Sequence, residues 1–402
     1  MALRDEVAPA AAAALEGRFG ADMATAAPDS APNERVRHLS EQTHGMLGAL
    51  EELVMVESPS ADPAATAACA AELAGIGSVL LGEKPERLEI EGRVHLRWGF
   101  AGAPRVLLVG HFDTVWPVGT VRRWPYAVED GRATGPGIFD MKAGLVQALY
   151  AVASLEDRSG VQLLFTSDEE LGSITSRATI ETMALDAAAA LVLEPSRKGA
   201  LKVARKGVSF YHLNFTGAAA HASEATRGAN AMLEMAHQVV AIQQLARPTL
   251  GTTLTPTLAS AGVTQNTVPA EAYAYIDVRV GSAEEQARVD NEIRALPPHD
   301  SRVLLSVTGG PNRPPMPVEA TRDLFERARR CAAGLGIGFA TDGVEASGGS
   351  DGNFTAAMGT PTLDGLGAVG DHAHAEGEYV EVARMPERAA LLAALIEDVR
   401  AS

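Results

Sequence analysis

The feature that most constrains the fold is Arg105–Thr114, RVLLVGHFDT, an apolar run that ends in a histidine and an aspartate two positions apart. Open α/β sheets place their chemistry where such strands end. In an H-x-D step the histidine can coordinate a metal while the carboxylate orients the ring. The stretch predicts a buried strand with His111 as a metal ligand and Asp113 as its partner. Two polar loop residues would look the same locally, so the interpretation depends on the rest of the chain.

The pattern on both sides of this stretch is an alternation of apolar strands with amphipathic helices. It predicts a doubly wound α/β domain with a mostly parallel sheet, built from residues 34–200 and 311–402. Residues 201–310 follow a different order, β-α-β-β-α-β, which predicts an inserted α+β unit of ferredoxin-like topology. Residues 1–33 are rich in alanine and proline, and we expect them to form an N-terminal extension.

Charge and hydropathy exclude several classes of function. The formal net charge is −17, and no stripe rich in lysine or arginine offers phosphates a binding surface, so we expect no nucleic-acid partner. No apolar run approaches eighteen residues, so we expect no membrane span. The N-terminal segment lacks the leucine-rich core of a signal peptide, which predicts a cytoplasmic protein.

Other acidic and histidine-containing sites also follow predicted strands: Asp140, the triplet Asp168–Glu170, Glu194, and the pair His372 and His374. Each has a plain alternative. Asp140 could cap a helix, the triplet could be a solvated turn, Glu194 could be solvated, and one histidine of the pair could lie on the surface. Adjacent carboxylates repel one another unless a cation lies among them, which favours a binding role for the triplet.

Together these sites make a coherent ligand set for a pair of zinc-like ions. Two histidines, one bridging carboxylate and two further carboxylates supply three protein ligands per metal and leave a shared position open for water. Two divalent cations are balanced by three carboxylates and one hydroxide, so the centre would be near neutral. A neighbouring carboxylate would remain free to act as a base.

Six motifs of the chain resemble those of a known family. The motifs GHFDTV, GPGIFDMKAG, TSDEELGS, LEPS, GGSDG and HAEGEYV occur in this order. Through them, from about Leu47 to Ala394, the sequence is similar to the zinc metallopeptidases that include bacterial glutamate carboxypeptidase, aminoacylase, acetylornithine deacetylase and succinyl-diaminopimelate desuccinylase. The RKG, NTVPA and DVR segments most resemble the glutamate carboxypeptidase branch.

The resemblance implies two metal sites that share one carboxylate. His111, Asp140 and Glu194 would hold one Zn²⁺, and Asp140, Glu170 and His374 would hold the second. Cobalt or manganese could replace zinc. Asp140 would bridge the two ions.

The resemblance also implies that Glu169 is the general acid/base and that Asp113 steers His111. The histidine of the second metal is a choice between two residues. In the glutamate carboxypeptidase branch, the ligand histidine precedes a Glu-Tyr-Val end by a fixed number of residues. That spacing is one residue longer than the spacing from His374 and one residue shorter than the spacing from His372. Other members have the spacing of His374, which is therefore the predicted ligand.

Within the inserted unit the resemblance implies a set of substrate-facing residues. His221 would reach the reacting carbonyl, Asn266 would bind substrate, and Arg279 would grip the substrate carboxylate. Arg313 and Lys206 are candidates for the same anionic pocket, although a solvated role is equally compatible with the sequence.

These implications predict a di-metal hydrolase that cleaves an amide bond next to a free carboxylate, as a glutamate-carboxypeptidase-like exopeptidase. An N-acyl-amino-acid amidohydrolase is the alternative. A non-catalytic metal-binding homologue is a third interpretation, which the presence of Glu169 disfavours. The resemblance also implies that the inserted unit is a lid that joins two chains in a homodimer, with His221 acting on the partner's site.

Overall fold

The computed structural model describes residues 33–338 and 342–402, so the predicted extension, residues 1–33, lies outside the described chain except for Asn33. Helices begin where the sequence supplies a cap. Asp62, for example, accepts hydrogen bonds from two amides of the first turn, and Gly82 ends that helix in the left-handed conformation. The described helices are α1 (Glu34–Glu41), α2 (Thr43–Met55), α3 (Pro63–Leu81), α4 (Thr120–Arg123), α5 (Ala143–Ala153), α6 (Arg177–Asp186), α7 (Ala231–Gln243), α8 (Ala283–Arg294), α9 (Val318–Leu335), α10 (Gly352–Ala357) and α11 (Arg384–Arg400).

Strands of the described residues form one main sheet, a four-stranded and a two-stranded sheet in the inserted unit, and two further sheets of two and four strands. They are β1 (Glu86–Ile90), β2 (Arg93–Gly99), β3 (Val106–His111), β4 (Ala127–Glu129), β5 (Arg132–Thr134), β6 (Val161–Thr166), β7 (Ala189–Val192), β8 (Lys202–Arg205), β9 (Gly207–Thr216), β10 (Ala220–His221), β11 (Thr253–Ala261), β12 (Thr267–Val268), β13 (Glu271–Val280), β14 (Leu304–Arg313), β15 (Val344–Ala346), β16 (Thr362–Leu363), β17 (Gly370–Asp371) and β18 (Tyr379–Glu381).

The main sheet has the strand order β1-β2-β6-β3-β7-β16. Strands β6, β3, β7 and β16 are parallel to one another, whereas β2 is antiparallel to both β1 and β6. Each residue of β3, β6 and β7 is buried, which explains why these strands read as nearly continuous apolar runs. The predicted mixed α/β architecture is confirmed.

Helices cover both faces of this sheet. Along β3, Val106 and Leu108 point into the larger core, whereas Leu107 and Val109 point into a smaller core on the other side. The larger core contains α5 and α11, and the smaller one contains residues of α6 and α10. Alternate side chains of a strand face opposite sides of its sheet, so one strand can serve two helical layers.

One described helix, α3, is long and apolar enough to cross a membrane on length and composition alone. Its inner face, which includes Cys69 and Leu73, is nevertheless part of the larger core. A Cβ atom at Gly77 would lie 2.4 Å from the Trp98 ring, so the helix rests directly on β2. The helix is therefore a packed layer of the α/β domain.

The inserted unit is an antiparallel sheet with the strand order β11-β13-β9-β14. Helices α7 and α8 contribute to its core together with Tyr211, Phe215 and Ile276. Along the chain its elements follow the order β9, α7, β11, β13, α8, β14.

The two chain segments that enter and leave this unit run side by side. Arg205 and Met316 exchange both backbone hydrogen bonds, each 2.9 Å long. The Asn353 side chain donates to the carbonyls of Lys206 and Pro314, at 3.2 and 2.6 Å. The orientation of the inserted unit is therefore linked to the α/β domain through this narrow connection.

Candidate metal centre

The predicted ligands lie where strands of the main sheet end. His111 is the last residue of β3, Glu194 follows β7 by two residues, and Glu170 lies in a short helical turn after β6. Asp140 lies in the turn before α5, and its peptide bond to Met141 is cis. Carboxyl ends of neighbouring parallel strands share one edge of a sheet, which explains the convergence of residues distant in sequence.

Two glycines allow the close approach of these segments. Gly144 of α5 has no side chain, and a Cβ atom there would lie 2.3 Å from the carbonyl oxygen of Leu193, next to Glu194. Gly137 has a φ of 71°, a left-handed conformation that favours glycine, and a Cβ there would lie 2.4 Å from the Thr114 side chain. Larger residues at either position would move the Asp140 turn.

The ligand atoms form two groups that share Asp140. In the first group, His111 Nε2 lies 3.3 Å from Asp140 Oδ1 and 3.6 Å from Glu194 Oε1. In the second group, His374 Nε2 lies 3.3 Å from Asp140 Oδ2 and 2.9 Å from Glu170 Oε1. Each oxygen of Asp140 therefore faces a different group, as a bridging carboxylate requires.

The residues present fit a pair of divalent metals. Within each group, every ligand atom lies within 4.8 Å of the others. Within residues 33–338 and 342–402, no hydrogen bond reaches the buried Asp140 Oδ1, whose nearest ion-pair contact is His111 Nε2 at 3.3 Å, and an unsatisfied buried oxygen is costly. Imidazole and carboxylate ligands suit zinc-like ions.

The two histidines of the closing loop have different surroundings. Both adopt left-handed backbone conformations, with φ of 68° at His372 and 61° at His374. His372 Nδ1 lies 3.3 Å from the carbonyl oxygen of Gly377, and its ring packs edge-on against Tyr379. The ring of His374 instead belongs to the second ligand group. The geometry therefore supports the prediction of His374 as the ligand.

The histidines and carboxylates of the two groups shift one another's pKa values. Hydrogen bonds to Asp140 and Glu170 raise the pKa of His374 to about 11. Burial alone favours the neutral ring of His111, but its carboxylate neighbours hold the pKa of His111 well above its usual value. Burial likewise opposes ionisation of Asp140, yet the two histidines lower the pKa of Asp140 below its usual range. A bound cation would replace the protons on the rings.

Asp113 connects the first ligand to the loop that carries the predicted base. His111 Nδ1 lies 3.0 Å from the backbone carbonyl oxygen of Asp113 and 3.5 Å from its carboxylate. The two carboxylate oxygens accept hydrogen bonds from the amides of Glu169 and Glu170, each at 3.2 Å. Ser60 Oγ donates a further bond of 2.7 Å. One buried residue thus orients the imidazole and fixes the turn after β6.

Glu169 is buried beside the ligands and is paired with Arg313. Burial raises the pKa of Glu169 well above its usual value, and the guanidinium of Arg313 opposes this shift. Arg313 Nη2 lies 2.8 Å from Glu169 Oε1, and Arg313 Nη1 lies 3.0 Å from Asp351 Oδ1. Asp351 belongs to the SGGSDG segment, to which the sequence interpretation gave no role.

Two cations flank Glu194, the buried Arg205 and the half-buried Lys202. Arg205 Nη2 lies 3.3 Å and Lys202 Nζ lies 3.6 Å from Glu194 Oε2, and Arg205 also pairs with Asp364 at 2.7 Å. Burial opposes ionisation of Glu194, but these cations and the His111 ring outweigh it and lower the pKa of Glu194 to about 2. Sequence reasoning missed Arg205, although it lies in the RKG segment that supported the resemblance.

Glu378 holds the turn that carries Asp140, and sequence reasoning missed it as well. Its carboxylate accepts hydrogen bonds from the amides of Gly137, Phe139 and Asp140, at 2.8 to 3.0 Å. Trp116 Nε1 donates another bond of 3.0 Å. Burial raises the pKa of Glu378 to about 7. The residue lies within the HAEGEYV motif, so a signal was present.

Predicted residues of the inserted unit bond mainly within that unit. His221 is exposed, and its Nδ1 lies 2.7 Å from Ser223 Oγ. Arg279 pairs in a fork with Asp277, with both contacts at 2.7 Å, and Lys206 Nζ donates to the Gly251 carbonyl at 2.9 Å. Asn266 accepts a hydrogen bond through its backbone carbonyl. Among the described residues, none of these four shares a hydrogen bond or ion pair with the ligand groups.

An α/β sheet that gathers two histidine–carboxylate groups around one shared aspartate, next to a buried glutamate, defines a metal-dependent hydrolase. Comparison with known proteins agrees. The model of peptidase family M20/M25/M40 matches residues 107–398, and the chain belongs to this family. The protein is therefore a hydrolytic metallopeptidase, for which zinc is the usual metal.

Individual relatives cover nearly the whole chain. Carboxypeptidase G2 of Pseudomonas sp. (strain RS-16) is 31% identical over 399 residues, which are 94% of this chain and 94% of that protein. A tripeptidase from Staphylococcus aureus has a TM-score of 0.70 at 19% identity, covering 90% of this chain and 99% of the other. An M20 family metallo-carboxypeptidase from Sulfolobus solfataricus has a TM-score of 0.66 at 17% identity, covering 90% and 100%. The two solved structures share the fold.

Proposed function

We propose that the protein is an exopeptidase of the glutamate carboxypeptidase type, which hydrolyses the amide bond next to a free terminal carboxylate. The observation that carries the proposal is the placement of Asp140, whose two oxygens face two separate ligand groups while Glu169 lies beside them. The identity of 31% with carboxypeptidase G2 over most of the chain supports this choice among the reactions of the family.

The proposed cofactors are two Zn²⁺ ions per chain, with cobalt or manganese as substitutes. His111, Asp140 and Glu194 would hold one ion, and Asp140, Glu170 and His374 the other. When bound, such a pair would lower the pKa of a water molecule at the site and polarise the scissile carbonyl.

Glu169 would carry the proton transfer. It would accept a proton from the attacking water and deliver that proton to the departing nitrogen. Its burial supports this role, because a carboxylate with a raised pKa both accepts and returns a proton more readily near neutral pH. The Asp113 carboxylate would keep Glu169 in place by accepting a hydrogen bond from the backbone amide of Glu169.

The inserted unit would supply substrate contacts. Arg279 would bind the terminal carboxylate with its planar fork, which Asp277 occupies in the structure. His221 would stabilise the oxyanion of the tetrahedral intermediate, and Asn266 would bind the substrate backbone. Arg279 would reach the centre only when this unit, acting as a ferredoxin-like lid, closes over it, and His221 would reach the centre of a partner chain.

We also propose a homodimer formed through the inserted unit. The edge strand β11 carries no charged residue, and Leu258 on it is 54% exposed. An uncharged edge strand invites pairing with a second chain. On α7, Met232, Leu233 and Val240 are exposed apolar residues. In such a dimer His221 would complete the active site of the partner chain.

We propose a cytoplasmic location for the assembly.

A panel of substrates tests the proposed function. N-acyl-glutamates, dipeptides that end in glutamate and aromatic acyl conjugates of glutamate should be hydrolysed by protein loaded with zinc, cobalt or manganese. Their amides, which lack the free terminal carboxylate, should be poor substrates. An N-acyl-amino-acid amidohydrolase would instead favour simple acyl groups on many amino acids. Turnover that does not depend on the free carboxylate would contradict the proposal.

A further inference from the structure

Arg313 joins the inserted unit to the catalytic turn. It is the last residue of β14, where its backbone pairs with Val208 of β9. The side chain of Arg313 extends away from the inserted unit. It is buried in the α/β domain, next to the turn that carries Glu169. The residue therefore belongs to one unit by its backbone and to the other by its side chain.

Protein groups already satisfy the guanidinium of Arg313. Nη2 donates to Glu169 Oε1 at 2.8 Å, to the Glu169 carbonyl at 3.0 Å and to Ser173 Oγ at 3.1 Å. Nη1 donates to Asp351 Oδ1 at 3.0 Å, and the plane of the group lies over the Phe354 ring at 4.8 Å. A substrate carboxylate could bind Arg313 only by displacing a buried partner, which is costly.

The residue before Arg313 reinforces this connection. Asn312 Nδ2 donates to the carbonyl of Gly172 at 3.2 Å, and Arg177 Nη1 donates to the carbonyl of Asn312 at 3.2 Å. The turn that holds Glu169 is thus bonded along its length to the end of β14. Movement of the inserted unit at this strand end would move the carboxylate of Glu169.

We propose that Arg313 is a positioning residue that holds the Glu169 carboxylate and makes its placement depend on the inserted unit. This inference rests on the proposed function, in which Glu169 transfers the proton. It assigns Arg313 a different part from the substrate-binding role that the sequence suggested, and it leaves the substrate carboxylate to Arg279. A displacement of about 1 Å in a catalytic group can lower the rate about 100-fold.

Steady-state kinetics of Arg313→Lys separate the two roles. Lysine keeps the charge but cannot contact Glu169 and Asp351 together in fixed geometry. We expect kcat to fall about 10- to 100-fold while KM stays within about threefold. Asp351→Asn, which alters the other contact of the guanidinium, should reproduce this pattern. A KM at least tenfold higher with kcat retained would show that Arg313 binds the substrate carboxylate.

Arg158→Lys is the matched control. Arg158 also lies over a phenylalanine ring, that of Phe100 at 5.5 Å, and its side chain donates to the carbonyls of Leu81, Val152 and Ala153. None of these groups belongs to the Glu169 turn or to the end of β14, so kcat and KM should remain close to wild type. An equal loss of kcat in this variant would attribute the effect to loss of any packed arginine and overturn the proposal.

A readout without substrate separates this proposal from the proposed function. In a double-mutant cycle of unfolding free energies, Arg313→Lys should destabilise wild-type protein more than it destabilises the Glu169→Gln variant. If the two substitutions have additive effects on the unfolding free energy, Arg313 and Glu169 are not coupled and the proposal is overturned. If wild-type protein hydrolyses no member of the substrate panel but the cycle shows coupling, the proposed function fails and the structural link between Arg313 and Glu169 stands.

Discussion

The two parts of the predicted active site differ in how completely one chain forms them. In the α/β domain, the candidate ligands of each group lie within 4.8 Å of one another; His111 and Glu194 are buried, Asp140 and Glu170 are half-buried, and His374 is exposed. In the inserted unit, His221 and Arg279 bond to Ser223 and Asp277 of their own unit. The candidate ligand groups are therefore assembled within one chain, whereas the proposed substrate contacts would require movement of the inserted unit or a second chain.

The difference has a topological cause. Parallel strands of one sheet end at a common edge, so polar residues that follow them meet whatever their separation in sequence. The antiparallel sheet of the inserted unit has no such edge, and its residues approach the centre only through the position of the whole unit. Arg313 is a residue of that unit whose side chain reaches the centre in the described chain, because it lies where β14 returns to the α/β domain.

The largest effect on turnover is expected in the α/β domain, at Glu169. Glu169→Gln should lower kcat about 10²- to 10⁴-fold, since glutamine cannot accept the proton. It should retain both metals, because Glu169 belongs to neither ligand group. Two measurements on the Glu169→Gln variant test both expectations: its metal content by mass spectrometry and its kcat on the best substrate. Loss of the metals in this variant would make Glu169 a ligand and remove its assignment as the base.

The second effect distinguishes the two loop histidines. His374→Ala should weaken one metal more than about 100-fold, since loss of even an indirect partner of a metal ligand costs about 10- to 100-fold. His372→Ala should leave metal binding near normal, because the ring of His372 faces Gly377 and Tyr379. Chelator competition measures both affinities, and the reverse result would reassign the ligand to His372.

The third effect is a dependence of metal binding on pH. His374 has a pKa of about 11 in the metal-free chain, against an ordinary value of 6.5, and must lose its proton to bind metal. Apparent zinc affinity should rise about tenfold per pH unit for each proton released. Calorimetry in buffers of different ionisation enthalpy should detect this release, whereas affinity that is independent of pH would contradict the protonated state.

The same protonation should affect the stability of the metal-free protein. Because the folded pKa of His374 is raised, its stabilising contribution is fully present below pH 6.5 and is lost as the pH rises through about 11. Added zinc should reduce this alkaline loss, as thermal unfolding across that range would show.

The smallest effect concerns the proposed contribution of a partner chain to the site. Glu169→Gln and His221→Ala chains, each with little activity, should recover about one quarter of wild-type activity when subunits exchange, because half of the dimers are mixed and each has one intact site. Exchange is verified by native mass spectrometry. Complete exchange without recovery would mean that His221 acts within its own chain or has no catalytic role.

The sequence identified the residues of the two candidate ligand groups better than it identified the contacts that support them. His111, Asp140 and Glu194 were accessible because each follows a recognisable strand or glycine-rich turn. The contact between Glu378 and the Asp140 turn joins segments about 240 positions apart, and no local pattern specifies it. Such contacts arise only from the folded arrangement of loops.

Asp113 illustrates the same limit on a smaller scale. Its spacing from His111 predicted a carboxylate–imidazole contact, yet the nearest acceptor of the ring is the backbone carbonyl. The carboxylate serves the amides of Glu169 and Glu170 instead, across a separation of 56 and 57 positions. Local spacing identified the residue but not its longer-range partners.

The most direct test of the account is a crystal structure of zinc-loaded protein with anomalous diffraction at the zinc edge. We expect two peaks per chain, one among His111, Asp140 and Glu194 and one among Asp140, Glu170 and His374, with Asp140 contributing one oxygen to each. A single peak, or a second zinc held by residues outside these groups, would contradict the shared two-metal centre on which the proposed function depends.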